Sequence, residues 1–333
     1  PVLAKYRDEL AVLTMCGRPL LPVLNFVASA SHREGEWREA LARLGLHALV
    51  AFDSVAPPED GERRLYESLA LLLERSRSQL QRLIEDHEAQ RQARRQAGNR
   101  LIAELLIDCA ACRRSVAAQL VLEQGAISEL RDAIRQREQR CVEALLRLYA
   151  FRSSDAKAAD LPLLHGRWGD DLFNPETLKQ LGIKVGGGMA AGAATGVGVD
   201  LLVGGITLGA AAALGAVIGG SAQTLRNYGE RLKGKLKGQR ELTVDDAVLR
   251  LLALRQQQLL AALNVRGHAA MDAITLNAPQ ETLWRQGKLP APLNVARAHP
   301  EWSSLNPGAR LEEAERAEQV ERLCSEIAMQ LVG

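Results

Sequence analysis

Between Val185 and Ala222 the chain carries one charged residue, Asp200, and twelve of its 28 glycines. Few folds accept such a stretch. Glycine costs a helix in water about 1 kcal/mol per residue against alanine, so this density needs a compensating gain. Gly188, Gly192 and Gly196 recur every four residues, as do Gly205 with Gly209 and Gly215 with Gly219. On a helix each series lines one face, and the missing side chains let a second helix approach until the backbones nearly touch. The spacing predicts a glycine-zipper hairpin over 185–222, two apolar helical arms that turn near Asp200.

Length constrains what the hairpin can do. As one straight helix rising about 1.5 Å per residue, the run would be near twice the ~30 Å hydrocarbon thickness of a bilayer. Folded at Asp200 it gives arms of roughly 15 and 22 residues, against the usual 17 to 25 for a span. A hairpin inserted deeply from one side fits better than two full spans. A carboxylate at its tip must reach the far interface or stay outside, because burying it costs at least about 2.5 kcal/mol. Arg226, Arg231, Lys233, Lys235, Lys237 and Arg240 follow the second arm, with Lys179 and Lys184 before the first. Such a flank places both ends of the hairpin on the cytoplasmic side and attracts anionic lipid. The same glycine pattern also suits the buried centre of a water-soluble scaffold, as the mean hydropathy of -0.10 allows, or a pore-forming protein. Partner helices or a second copy of the chain could equally fill the zipper.

The first sixty residues are of another kind. Residues 2–16 are expected to be helical and to stop at Gly17. Pro19 to Phe26 and Leu46 to Phe52 are short apolar runs of the sort that form strands buried on both faces. The helical stretch Glu34 to Leu44 lies between them, so the order implies a parallel βαβ unit. Two parallel strands cannot bury both faces alone, and the chain opens on Pro1, which together suggest a piece of a longer protein.

Pro1-Val-Leu-Ala-Lys-Tyr-Arg-Asp-Glu-Leu10, Leu20-Leu-Pro-Val-Leu-Asn-Phe26 and Val50-Ala-Phe-Asp-Ser54 resemble the second half of the GTP-binding domain in a group of bacterial GTPases that carry a C-terminal helical domain of unknown function. The resemblance implies that 1–58 are the trailing part of a P-loop GTPase-like domain and 59–333 the helical domain. It also implies that Asn25 contacts the guanine base, with Asp53 and Ser54 in a second base-proximal loop. GTP and Mg²⁺ would be bound by the intact protein only. Phe26, Val27 and Ala28 follow Asn25 where the family has a lysine and an aspartate. No G-x-x-x-x-G-K-[ST] occurs in the sequence, so no cofactor is expected for this chain alone and no GTP hydrolysis.

From Glu62 to about Leu148 there is no proline, and Leu, Ala, Arg, Glu and Gln dominate. Two or three antiparallel helices are expected, with breaks at Gly98-Asn99 and Gly125. Arg91, Arg94, Arg95 and Arg100 sit among acidic residues and read as a solvated face. With 42 basic against 40 acidic side chains and no aromatic interleaving, nucleic acid is not an expected partner. Thr243 to Asp246 reads as a helix cap, and Asn306-Pro307 as the start of a last amphipathic helix. Trp284 and Trp302 are expected to pack a proline-rich connection onto the bundle. Cys109 and Cys112 read as small apolar positions on a buried face. The six histidines form no catalytic or metal-binding pattern. The fold class is therefore mainly α behind a partial α/β piece, with the cytoplasm or the cytoplasmic face of the inner membrane as its place.

Overall fold

The computed structural model describes residues 4–25, 27, 33–53, 60–117, 120–151, 168, 171–173, 199–202, 239–265, 284 and 288–329. The protein is mainly helical and divides into two compact units. One is built on Pro1–Arg95, Ser154–Leu161 and Ala261–Ile274, the other on Gln96–Ser153, Pro162–Leu260 and Thr275–Gly333.

The first unit begins with α1 (Ala4–Met15), β1 (Val23–Leu24), α2 (Glu34–Ala42) and β2 (Val50–Ala51). The strands pair in parallel, Val23 opposite Val50 and Leu24 opposite Ala51. Val50 N–H donates to Pro22 O and Phe52 N–H to Leu24 O. The regular ladder is much shorter than the apolar runs that announced it. Gly17 ends α1 with φ +64, a value that suits a residue without a Cβ. Tyr6 of α1 and Trp37 of α2 meet at 6.4 Å between ring centroids. Val12, Leu13 and Met15 of α1 and Val23 of β1 remain exposed. Helix α3 (Gly61–Leu72), a 3₁₀ turn (Glu74–Ser76) and α4 (Arg77–Ala111) follow. Glu62 and Arg63 at the start of α3 face His87 and Glu88 of α4, at matching distances from the turn that joins the two helices.

The second unit takes α4 from Gln96 onward. Ile102, Leu105, Leu106 and Cys109 form its inner stripe at helical spacing, all fully buried. β3 (Arg113–Ala117) comes next, then α5 (Leu120–Leu148), which buries Leu130, Ile134, Val142 and Leu145. β4 (Val199–Leu202) and β5 (Gln239–Val244) join β3 in an antiparallel sheet ordered β3-β5-β4. In that register Arg113 lies opposite Thr243, and Asp200 opposite the same Thr243 from the other side. Helix α6 (Asp246–Val265) is buried from Ala247 to Gln257 without a break. Such a helix runs through a core rather than over it. Asp245 opens it, its side chain accepting the Ala247 N–H at 2.7 Å. Helix α7 (Ala291–Ala296), a 3₁₀ turn (Pro300–Trp302) and α8 (Ala314–Met329) complete the unit. Trp284 and Trp302 are fully buried.

Three expectations need correction. Neither Gly98 nor Gly125 breaks a helix; α4 and α5 run through them, and the break falls at Cys112, where the chain turns into β3. Gly98 is needed for closeness instead: a Cβ there would stand 2.6 Å from Leu260 Cδ1. The last helix begins at Ala314 and not at Asn306, because the Asn306 amide is bonded elsewhere and Gly308 adopts φ +74. Thirdly, Asp200 lies on a strand and not at a helical turn.

The two helix glycines make opposite forecasts. Gly98→Ala presses a methyl into the buried Leu260 and should lower stability by about 1 kcal/mol, the overpacking cost exceeding the gain in helix propensity. Gly125→Ala meets no atom within 4 Å and should raise stability by roughly 0.5–1 kcal/mol. Urea unfolding of the two variants checks both signs.

Candidate functional site

The parallel pair of the first unit gives Asn25 and Asp53 a common end. Asn25 directly follows β1 and is exposed, while Asp53 follows β2 by two residues and is buried. Because the strands run the same way, both residues sit at the carboxyl edge, where open α/β sheets bind ligands. Ser54 lies outside the described residues. At this edge the chain places the polar side chains of Asn25 and Asp53, and no G-x-x-x-x-G-K-[ST] phosphate loop occurs in its sequence.

Of the glycine-rich segment, only Val199–Leu202 is described. Gly188, Gly192, Gly196, Gly205, Gly209, Gly215 and Gly219 lie outside, as do Arg226, Arg231, Lys233, Lys235 and Lys237. Arg240 falls on β5 opposite Val116. Among the described residues no helix is long and apolar enough to cross a membrane.

Among the described residues of the second unit two carboxylates are buried, and sequence reasoning missed both. The first, Asp108 near the end of α4, accepts four hydrogen bonds. They come from Arg137 Nε at 2.5 Å, Ser304 N–H at 2.6 Å, Ser304 Oγ at 2.7 Å and Ser303 Oγ at 3.1 Å. Four donors replace the water a buried carboxylate has lost. Asn306 continues the junction, donating to Ala111 O at 3.1 Å and Pro300 O at 2.8 Å and accepting the Arg113 N–H at 3.0 Å. The end of α4, the middle of α5 and the turn before α8 are thereby locked together. A charged residue inside the apolar run from Leu105 to Cys112 was the available signal.

The second, Glu138 of α5, is buried against α6. It accepts from Gln256 Nε2 at 3.3 Å and stands 3.6 Å from Arg255 Nη1. Burial pushes this carboxyl up to about 7, outweighing the attraction of Arg255. No sequence signal marks Glu138, which reads like any solvated glutamate on a charged helix.

Burial pushes the Cys112 thiol up to about 11 and Cys141 to about 12, and raises Cys109 well above its ordinary value, so none supplies a thiolate nucleophile near neutrality. The five cysteines are free, and among the described residues no three metal-binding side chains cluster. The basic cluster on α4 is partly consumed, Arg100 pairing with Glu104 and with Glu321 of α8.

Asp108→Ala strands the largely buried Arg137 and two serines, so it should cost about 3 kcal/mol or more in urea unfolding. Glu138 holds its proton more tightly folded than unfolded. Its contribution is complete below the unfolded value of 4.5 and is lost as pH rises through about 7. Stability should therefore fall by an amount on the order of 3 kcal/mol across that window, and Glu138→Gln should flatten the profile.

No curated protein and no solved structure matches the chain. A family profile does: that of DUF3482, a domain of unknown function, over residues 38–325. The match takes in α2 from Arg38, all the strands of the second unit and α8 as far as Ser325. With most of its length so covered, the chain belongs to the DUF3482 family.

Proposed function

We propose that the chain is the trailing part of a guanine-nucleotide-binding protein whose helical domain engages the cytoplasmic face of a membrane under nucleotide control. The observation that carries the nucleotide half is the parallel β1–β2 pair with Asn25 and Asp53 at its carboxyl edge. Exposed Val12, Leu13, Met15 and Val23 support it, being apolar surface that further strands and helices of a sheet would cover. The support for the membrane half is chemical: a segment nearly free of charge, with small residues every four positions and a basic flank.

A second reading has its own observation. The centre of the segment, Val199–Leu202, is hydrogen-bonded to β5, whose Leu242 and Val244 are fully buried. A scaffold that keeps the segment in its own core would be built this way. Insertion, on the first reading, involves the stretches on either side of β4, of which 203–222 is the longer.

Two experiments separate these readings. In a fluorescent-GTP titration of the full-length protein, Asn25→Ala should weaken binding about tenfold, the worth of one good polar contact. Unchanged affinity removes Asn25 from the base site, and absence of any GTP binding ends the nucleotide proposal. In flotation with anionic liposomes the wild-type chain should rise with lipid, and a Gly209→Glu, Gly215→Glu variant should not. A wild-type chain that stays below the lipid supports the scaffold, and release of an entrapped dye would mark a pore.

A further inference from the structure

Trp168 and Asp171–Phe173 form a short clasp on the second unit. Both Asp171 carboxylate oxygens accept from Arg135 of α5, at 2.9 Å from Nε and 3.0 Å from Nη2. The Phe173 ring lies under the guanidinium groups of Arg131 and Arg135, at 5.3 and 5.0 Å. Leu172 between them is fully buried. The Trp168 ring lies 5.3 Å below the guanidinium of Arg255 on α6. Glu138 also contacts that guanidinium, 3.6 Å from Nη1, and lies one helical turn along α5 from Arg135. Arg255 is thus shared between a buried carboxylate in the core and an aromatic ring in the clasp.

We propose that Glu138 is a proton-operated latch that sets how firmly Trp168 and Asp171–Phe173 are held on α5 and α6. Ionised Glu138 draws Arg255 toward the core and repels Asp171, which carries the like charge. Protonated Glu138 does neither. Arg255 then directs its charge to the Trp168 ring and to Asp171, and the clasp tightens. Among the described residues the groups facing Glu138 are Arg255 and Gln256 from α6, Asp171 from the clasp, Cys109 from α4, and Cys141 from α5 itself. Burial keeps both thiols protonated near neutrality. The Arg135 fork overcomes the burial of Asp171 and holds that carboxyl below the usual range. Glu138 is left as the group that changes charge near neutrality, since burial has pushed it up to about 7. The latch stands independently of any lipid or nucleotide.

Fluorotryptophan labelling of the whole chain gives a ¹⁹F signal for each of its four tryptophans, and Trp168→Phe identifies the one concerned. Its relaxation by a soluble gadolinium chelate reads how open the clasp is. The wild type should show about threefold more relaxation of the Trp168 signal at pH ~8 than at pH ~6, a modest population shift, with a midpoint near the Glu138 value. Glu138→Gln should behave as the acid form at both pH values. Arg255→Lys keeps the cation but loses the planar stack, and should at least halve the difference even if Glu138→Gln does not fold. A wild-type signal that is the same at both pH values overturns the latch, as does a pH difference that survives undiminished in either variant.

Discussion

A helix enclosed on every side leaves its polar side chains no water, and α6 is such a helix from Ala247 to Gln257. It nevertheless carries Arg250, Arg255, Gln256 and Gln257 in that stretch. Each must find a partner in the surrounding elements or lose several kcal/mol with its hydration shell. Arg250 donates to Trp284 O at 3.0 Å, and Gln256 and Arg255 turn to Glu138. The partners come from far along the chain, so satisfying one helix fixes where α5 and Trp284 must lie. Asp108 repeats the logic at the end of α4, where one carboxylate collects donors from α5 and from the turn at Ser303-Ser304.

These contacts set the character of the second unit. An apolar interface tolerates sliding, whereas a buried carboxylate with four donors has one arrangement that satisfies it. That specificity brings sensitivity to protonation. Glu138, with a long contact to Arg255 and one bond from Gln256, is less fully compensated than Asp108, and burial accordingly raises it toward neutrality.

How far the sequence revealed this depended on where the partners lay. The βαβ start was legible because apolar runs and helical spacing are local signals, although only two residues of each strand pair in the ladder. The long helices α4 and α5 were legible from composition, because no proline interrupts the run of good helix formers from Glu62 to Leu148. The antiparallel sheet was not. Arg113–Ala117 lacks alternation, and its partner is the distant Gln239–Val244. The two glycines read as helix breakers do not break their helices, and for Gly98 the deciding contact, Leu260, is also remote. Of the candidate site, Asn25 and Asp53 fall at one sheet edge as parallel pairing requires, while the apolar arms around β4 lie outside the described residues. Glu138 and its place against Arg255 had no signature at all.

The central claim, that buried polar contacts bind the second unit into one cooperative body around α6, is tested most directly by native-state hydrogen exchange at the Ser304 amide. That N–H donates to the buried Asp108 from a turn, not from a helix or strand. If the claim holds, it exchanges only through global opening, with the same free energy as the amides in the middle of α6. Exchange of Ser304 through a local opening several kcal/mol easier than that of α6 would show the turn to be a surface attachment and would contradict the account.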